Sequence, residues 1–522
     1  MQIVSNIILR KSRHIVSKGG FLNASRMVLK FRECFPRPDI HIFRFVFLLL
    51  SFILLITSCK KQLEVDTPVF NSNQITIYKN DASAASVLSG IYTKMSQGDL
   101  WRLSGYAGLS ADELSLYSGS TSEIYLGYYR NALRSSSGSQ NIGNDMWSIF
   151  YPFIYYSNEA INGLTVATEL TPAVKQQLIG ECKFVRAFSY FYLINLYGDV
   201  PYTTSTDYHV NSVLTKTSKD EIWKNIIADL KDARSLLSDN FLDATVSNVT
   251  SDRVRPTKWA ASALLARAYL YTGAYAEAEI EATAVINNTT LFNLSPLDEV
   301  FLKNSNETIW QLEPVNYGVN TPDARFYILP STGFSNDTPV YLSDTLIKNF
   351  EPGDLRMSNW VNSISLNGKV YNYPYKYRVN VLYQEVTEYT MVLRLAEQYL
   401  IRAEARINQS GKIADGILDL NVLRGRSRAA ATTSVPDPLP PLSVNMTKES
   451  ALSAVAHERR VELFTEWGHR WLDLKRTNKV NEVMSVITPQ KGGVWNSNWQ
   501  LYPIPVGELE KNKNIKQNQG YN

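Results

Sequence analysis

The sequence predicts a mostly α-helical protein built from tetratricopeptide-like helical hairpins with irregular, aromatic-rich insertions. Three observations predict this class. Apolar residues recur at three- and four-residue spacing over long stretches, which is the period of a helix with one buried face. Ala-rich segments meet at a glycine in two places, Gly273 and Gly411. The stretches outside these helical patterns have no period: residues 97–142 are rich in Ser, Gly and Tyr, and residues 291–386 mix Pro, Asn and Gly with many aromatic residues.

The helical elements follow from this spacing. Residues 180–202 give one broad apolar face, Gly198 supplies a helix stop, and Pro201 prevents continuation. Residues 255–286 and 394–428 share one order: an Ala-rich helix, a glycine turn and a second Ala-rich helix. Such hairpins bury their faces only by stacking on neighbours, so the pattern predicts a continuous helical array.

The aperiodic segments, residues 97–142 and 291–386, are the predicted binding regions, because loops on a rigid scaffold commonly carry function. Flat aromatic rings can stack on the apolar C–H faces of sugar rings, while polar side chains hold the hydroxyl groups. The predicted ligand-binding rings are Trp101, Tyr106, Tyr117, Tyr125, Tyr128, Trp310, Tyr317, Tyr327 and Trp360, with Asp112 and Arg325 as polar partners.

The N-terminal residues carry an export pattern. Residues 1–58 hold nine Lys/Arg against two acidic residues, and residues 43–56 form an apolar run of signal-peptide length. The sequence Ile-Thr-Ser-Cys then ends at Cys59 and resembles a bacterial lipobox, whose cysteine is acylated. We therefore predict that residues 1–58 are removed and that residues 59–522 form a single domain, with an N-terminal part over 59–290 and a C-terminal part over 291–522.

Several function classes are disfavoured. The first 58 residues carry a net charge of +7, whereas the whole chain carries +4. The remaining residues are therefore mildly acidic, and nucleic-acid binding is not expected. The five histidines form no HExxH motif, and no Walker loop, GxGxxG or GxSxG motif occurs, so neither a metal site nor a cofactor is predicted. Loss of Cys34 with the signal region and acylation of Cys59 would leave Cys182 without a disulfide partner.

Two pairs of carboxylates are candidates for acid–base chemistry. Asp112 and Glu113 are adjacent, so their side chains should point apart. Glu462 and Glu466 lie one turn apart in residues 457–476, the most charged predicted helix. The favoured interpretation is an ion-pair network of Glu462, Glu466 and Arg470, with Trp467 and Trp471 packed inward. We therefore predict no catalytic residues.

Four motifs in order resemble the SusD/RagB family: residues 180–202, 255–286 and 397–428, and then 457–476 followed by 501–522. The resemblance implies a SusD-like α–α superhelix with four tetratricopeptide-like helix pairs. It also implies a lipid-anchored protein of the outer membrane, facing outward, with a SusC/RagA-type TonB-dependent transporter as partner. The implied function is capture of oligosaccharides for uptake. The alternatives left open are capture of oligopeptides by the same fold and glycoside hydrolysis.

Overall fold

The computed structural model describes residues 77–135 and 142–521, so the predicted signal region and Cys59 lie outside the described residues. The described residues belong to one unit, Asn73–Asn522. Helices dominate it, which confirms the predicted fold class. None of the helices in these ranges combines the length and apolar character needed to cross a membrane. Cys182 is buried as a free thiol.

The N-terminal half is almost entirely helical. Its elements are α1 (Asp81–Gln97), α2 (Trp101–Ser110), β1 (Leu114–Leu116), α3 (Glu123–Tyr129), α4 (Asp145–Val166), α5 (Pro172–Tyr197), α6 (Tyr208–Asn211), α7 (Lys219–Leu236), α8 (Lys258–Tyr271) and α9 (Tyr275–Ile286).

The C-terminal half mixes short strands with helices. Its elements are β2 (Thr308–Leu312), α10 (Pro322–Tyr327), β3 (Val340–Leu342), α11 (Asp344–Ile347), α12 (Leu355–Trp360), β4 (Val361–Leu366), β5 (Lys369–Pro374), β6 (Thr390–Arg394), α13 (Leu395–Ile407), α14 (Ile413–Ser427), α15 (Lys448–Glu462), α16 (His469–Arg476), α17 (Val480–Gln490), a 3₁₀ turn (Ser497–Gln500) and α18 (Val506–Lys511).

The long helices pack in succession: α4 on α5, α5 on α7, α7 on α8, α8 on α9, α9 on α13, and α13 on α14 and α15. The alanines of α8 are fully buried, because their small side chains let neighbouring helices approach closely. Gly273 and Gly411 sit at the two predicted hairpin turns with φ of 75° and 77°. That left-handed conformation is the one glycine adopts without steric cost, so the turns are confirmed.

The described residues contain three antiparallel strand pairs, two of which bring distant segments together. β1 pairs with β3 in the register Leu114↔Leu342, and β2 pairs with β6. β4 and β5 form a hairpin. The pairing of β1 with β3 matters most here, because it joins the two segments that the sequence predicts to be irregular. Both segments contain short helices and strands, so they are less irregular than predicted.

Buried ion pairs also connect the two halves. Arg267 on α8 donates through Nε and Nη2 to the carboxylate of Glu397 on α13, at 2.7 and 2.6 Å, and both residues are no more than 2% exposed. Within the C-terminal half, Arg394 contacts Glu307, Glu462 and Glu466 at 2.7–2.8 Å. Such pairs hold a defined arrangement, since losing one partner would leave an uncompensated charge in the interior.

The charged motif at residues 457–476 differs from its prediction. It is two helices, α15 and α16, separated by a turn in which Thr465, Trp467 and Gly468 have positive φ. Trp467 packs inward, as predicted, and so does Trp471. The predicted network of Glu462, Glu466 and Arg470 is wrong. Glu462 and Glu466 both pair with Arg394, and Arg470 pairs with Asp112.

Candidate functional site

Five of the nine predicted binding rings lie in the core. Tyr106, Tyr128, Trp310, Tyr327 and Trp360 are each no more than 4% exposed. The indole Nε1 of Trp310 donates to the Val254 carbonyl at 3.0 Å, and that of Trp360 donates to the Leu297 carbonyl at 2.8 Å. A ring with both faces covered cannot stack on a ligand, so the prediction is corrected for these five residues.

Asp112 is also buried, and its carboxylate pairs with two arginines of the protein. Arg470 donates to its carboxylate through Nε at 2.7 Å and through Nη2 at 2.9 Å, and Arg460 lies at 2.8 Å. Burial alone would raise the pKa of Asp112, but these guanidinium groups lower it to about 2. Its carboxylate therefore fixes α15 and α16 to the end of α2 and is not free to hold a ligand.

The remaining candidates reach the surface. Trp101, Tyr117 and Tyr125 are half-buried, and Arg325 on α10 is exposed. Tyr317 is 91% exposed, and its ring contacts Tyr383 with 5.4 Å between centroids. These five side chains remain predicted ligand contacts.

We use the name aromatic surface for six half-exposed rings that come from three short stretches of chain. They are Trp101, Tyr117, Tyr125, Phe334, Tyr341 and Tyr371. Pairing of β1 with β3 brings the first stretch against the second, and the β4–β5 hairpin supplies the last ring. The Tyr117 amide donates to the Pro339 carbonyl at 2.8 Å and extends that pairing.

Trp101 and Tyr125 share a support beneath them. The ring of Trp101 lies 4.5 Å from that of Phe326, and the ring of Tyr125 lies 6.1 Å from it. Phe326 itself is buried. Tyr125 also meets the buried Tyr106 edge-on at 6.2 Å, and Tyr106 stacks on Tyr128. The exposed rings are therefore held by a layer of core rings, which limits the rotamer freedom that a ligand would have to remove.

The other four rings pack on one another. Tyr117 and Phe334 stack at 4.9 Å with an angle of 4° between planes. Phe334 and Tyr341 each meet Tyr371 nearly perpendicularly, at 4.9 and 5.0 Å. The exposed ammonium group of Lys369 lies 4.9 Å from the centroid of Tyr371, within cation–π range. This side of the aromatic surface thus combines ring faces with a cationic hydrogen-bond donor.

The sequence analysis missed Phe334, Tyr341 and Tyr371 as binding candidates. Phe334 sits in a polar loop without a local pattern, whereas Tyr341 is the central residue of a three-residue strand. The available signal was the alternation of Val340, Tyr341 and Leu342, in which only the tyrosine points away from the core.

The carboxylate pairs are arranged for structure. As predicted, Asp112 and Glu113 face different partners, since a Glu113 oxygen accepts the Thr465 amide at 2.8 Å. Burial raises the pKa of Glu113 to about 7. Glu462 and Glu466 are buried too, yet Arg394 and its cationic neighbours lower the pKa of both. Across the described ranges, no group of three or more His, Cys, Asp or Glu side chains is placed to hold a metal ion.

Comparison with known proteins covers nearly all of the described chain. Residues 69–270 match a family model described as starch-binding, associating with the outer membrane, and residues 320–521 match the model of the SusD family. "SusD-like protein P2" of Formosa agariphila is 26% identical over 492 residues, which is 85% of this chain and 93% of that protein.

Solved structures share the fold. A SusD superfamily protein from Bacteroides vulgatus superposes with a TM-score of 0.71 at 21% identity, over 85% of this chain and all of that one. A laminarin-binding SusD-like protein gives a TM-score of 0.68 at 23% identity, with the same coverage. The two family models, which match residues 69–270 and 320–521, and the similar Formosa agariphila protein show that the chain belongs to the SusD/RagB family.

Proposed function

We propose that this chain captures oligosaccharides at the aromatic surface and delivers them to a SusC/RagA-type TonB-dependent transporter. The observation that carries the proposal is the set of six half-exposed rings, which a helical scaffold holds in place. The starch-binding description of the matching family model and the laminarin-binding structural relative support a carbohydrate as the ligand.

The chemistry of the surface suits sugars. Aromatic rings offer flat apolar faces to the C–H faces of pyranose rings, and a few polar groups fix the orientation. Lys369 is exposed beside Tyr371, and Arg325 is exposed next to Phe326 in the chain; both can donate to hydroxyl groups. Because the rings already pack against one another, little conformational entropy is lost when a ligand binds.

Binding without hydrolysis is the proposed mode of action. A glycosidase needs two carboxyl groups across an open cleft, one of them protonated. Asp112 is held ionised by arginines, and Glu113, whose pKa is raised, is 3% exposed and contacts a backbone amide. Neither carboxyl group belongs to the aromatic surface.

Calorimetric titration tests the proposed site. The chain from residue 60 onward would be titrated with starch- and laminarin-derived oligosaccharides and with peptides. We expect sugar binding, and we expect Tyr117→Ala to weaken it about tenfold or more, because removal of an aromatic anchor costs roughly 1–3 kcal/mol. Tyr117→Phe is the matched control, since it keeps the stacking ring and should retain most of the affinity.

Three results would count against the proposal. Peptide binding without sugar binding would favour the oligopeptide alternative. Shortened sugars in chromatography of the same mixtures would favour hydrolysis. Unchanged affinity in both Tyr117→Ala and Trp101→Ala would remove the aromatic surface as the site.

The proposal also places the protein at the outer membrane through acylated Cys59, facing outward. A lipid chain contributes about 0.8 kcal/mol for each buried CH₂ group, so an anchor with several acyl chains would hold a helical domain on a bilayer. Cys59→Ala should therefore abolish incorporation of labelled palmitate and release the protein from the outer-membrane fraction. A variant that still incorporates the label would contradict the anchor. Co-purification of the acylated parent with a TonB-dependent transporter tests the partnership.

A further inference from the structure

One concave region is lined by none of the residues of the aromatic surface. This cavity, the α4 groove, has a volume of about 790 Å³. Helix α4 forms one wall, residues 201–214 form the second, and α18 with Asn512 and Ile515 forms the third. Its volume falls within the range of about 300–1,000 Å³ that is typical of small-ligand sites. Flat protein-docking surfaces lack such a depression, so its shape favours a small ligand.

Aromatic rings line the α4 groove and are unusually exposed. Tyr155 is 41% exposed and Tyr208 is 74% exposed. Tyr151 lies deeper, where its ring lies 4.7 Å from that of Trp147 and its hydroxyl donates to the Pro201 carbonyl at 2.8 Å. Large rings exposed on the rim of a concave site provide stacking faces without any rearrangement of the core.

The polar framework of the groove is rigid. Asn158 donates to the Thr203 carbonyl at 3.1 Å and accepts from Arg186 at 2.8 Å. Asn211 donates to the Ser205 carbonyl at 2.9 Å and accepts from the Thr203 hydroxyl at 2.7 Å. These bonds fix residues 203–211 against α4. The backbone that carries Tyr208 is therefore held against α4.

Charge restricts the class of ligand. Among the lining residues of the groove, Glu508 and Lys511 carry charge, and their side chains approach each other to 3.5 Å. Their charges offset each other, so the groove has no net electrostatic preference for an anion or a cation. Hydroxyl and amide groups supply the remaining polarity.

We infer that the α4 groove is a second carbohydrate site, which takes a short, neutral segment of an oligosaccharide. This inference rests on the proposed function and adds a binding site to it. A salt bridge links the two regions: Arg102, next to Trp101 in the chain, pairs at 3.1 Å with Asp145, the first residue of α4. One polymer strand that engages both sites gains avidity, because its second contact is intramolecular.

Four proteins test the inference: the parent chain, an aromatic-surface variant (Trp101→Ala with Tyr117→Ala), a groove variant (Tyr155→Ala with Tyr208→Ala) and their combination. The probes are laminarin and starch polymers, their short oligosaccharides and a peptide panel, measured by calorimetry and affinity electrophoresis. Tyr275→Ala, which removes a half-exposed ring of α9 that lines neither site, is the matched control. Thermal unfolding of each variant confirms that it folds.

We expect the aromatic-surface variant to keep residual sugar binding and the combined variant to lose it. The groove variant should bind the polymer at least about tenfold more weakly, a change of about 1.4 kcal/mol, with a smaller effect on short oligosaccharides. The control should match the parent.

The possible failures are distinguishable. A groove variant that binds every sugar as the parent does overturns the inference and leaves the proposed function standing. Peptide binding that depends on Tyr155 and Tyr208 overturns the carbohydrate assignment of the groove. A parent chain that binds no sugar on the panel overturns the proposed function and the second site together.

Discussion

Glycine-to-alanine substitutions at Gly273 and Gly425 should change the stability of the same protein in opposite directions. Gly273 joins α8 to α9 with φ of 75°, and a Cβ added there would meet no atom within 4 Å. Gly273→Ala therefore introduces backbone strain without any clash. A non-glycine residue in the left-handed region costs roughly 1–2 kcal/mol. Lower entropy of the unfolded chain returns about 0.4–1 kcal/mol, so the net destabilisation should be about 1 kcal/mol.

Gly425 is the matched control, because it is an exposed helical position of α14 where an added Cβ also meets nothing. Gly425→Ala should stabilise by about 0.5–1 kcal/mol, since alanine is the better helix former. The assay is urea denaturation followed by far-ultraviolet circular dichroism. Unchanged or increased stability of Gly273→Ala would refute the assigned turn. A loss as large in Gly425→Ala would show that conformational strain is not the cause.

Two further predictions follow from burial. Trp310→Ala should destabilise the protein by about 3–5 kcal/mol, because it empties a fully buried site and leaves the Val254 carbonyl without its donor. Denaturant titration measures this loss. Trp101→Ala, at the surface, should change the stability far less. Burial raises the pKa of Glu113 from 4.5 to about 7, so its stabilising contribution is complete below pH 4.5 and is lost as the pH rises through 7. The parent should lose roughly 3 kcal/mol of stability relative to Glu113→Gln across that window, and parallel stability profiles of the two proteins would refute this.

The helical scaffold was predictable because its signals are local. Glycine turns, Ala-rich faces and the stop at Gly198 depend on neighbours a few residues away, and the structure places each as expected. The break between α15 and α16 was not predictable in this way. Glu462 and Glu466 stand at helical spacing, but their partner Arg394 lies far away in the chain.

The candidate site was predictable in part. Composition located the two aromatic segments, and Trp101, Tyr117 and Tyr125 do reach the surface. Which rings face outward is decided by contacts between segments, such as the pairing of β1 with β3, and single-sequence patterns do not carry that information. Trp310 illustrates the difference, because its position in β2 gives both of its faces to core neighbours.

The Arg267–Glu397 pair has a consequence for the order of folding during synthesis. Arg267 is synthesised 130 residues before its partner Glu397. The guanidinium group of Arg267 on α8 can therefore pair with Glu397 in the interior only after α13 has been made. An unpaired buried charge costs about 3–5 kcal/mol, enough to keep the early hairpin open. We therefore expect a fragment ending at residue 290 to show rapid hydrogen exchange in α8, and slow exchange there would contradict this order.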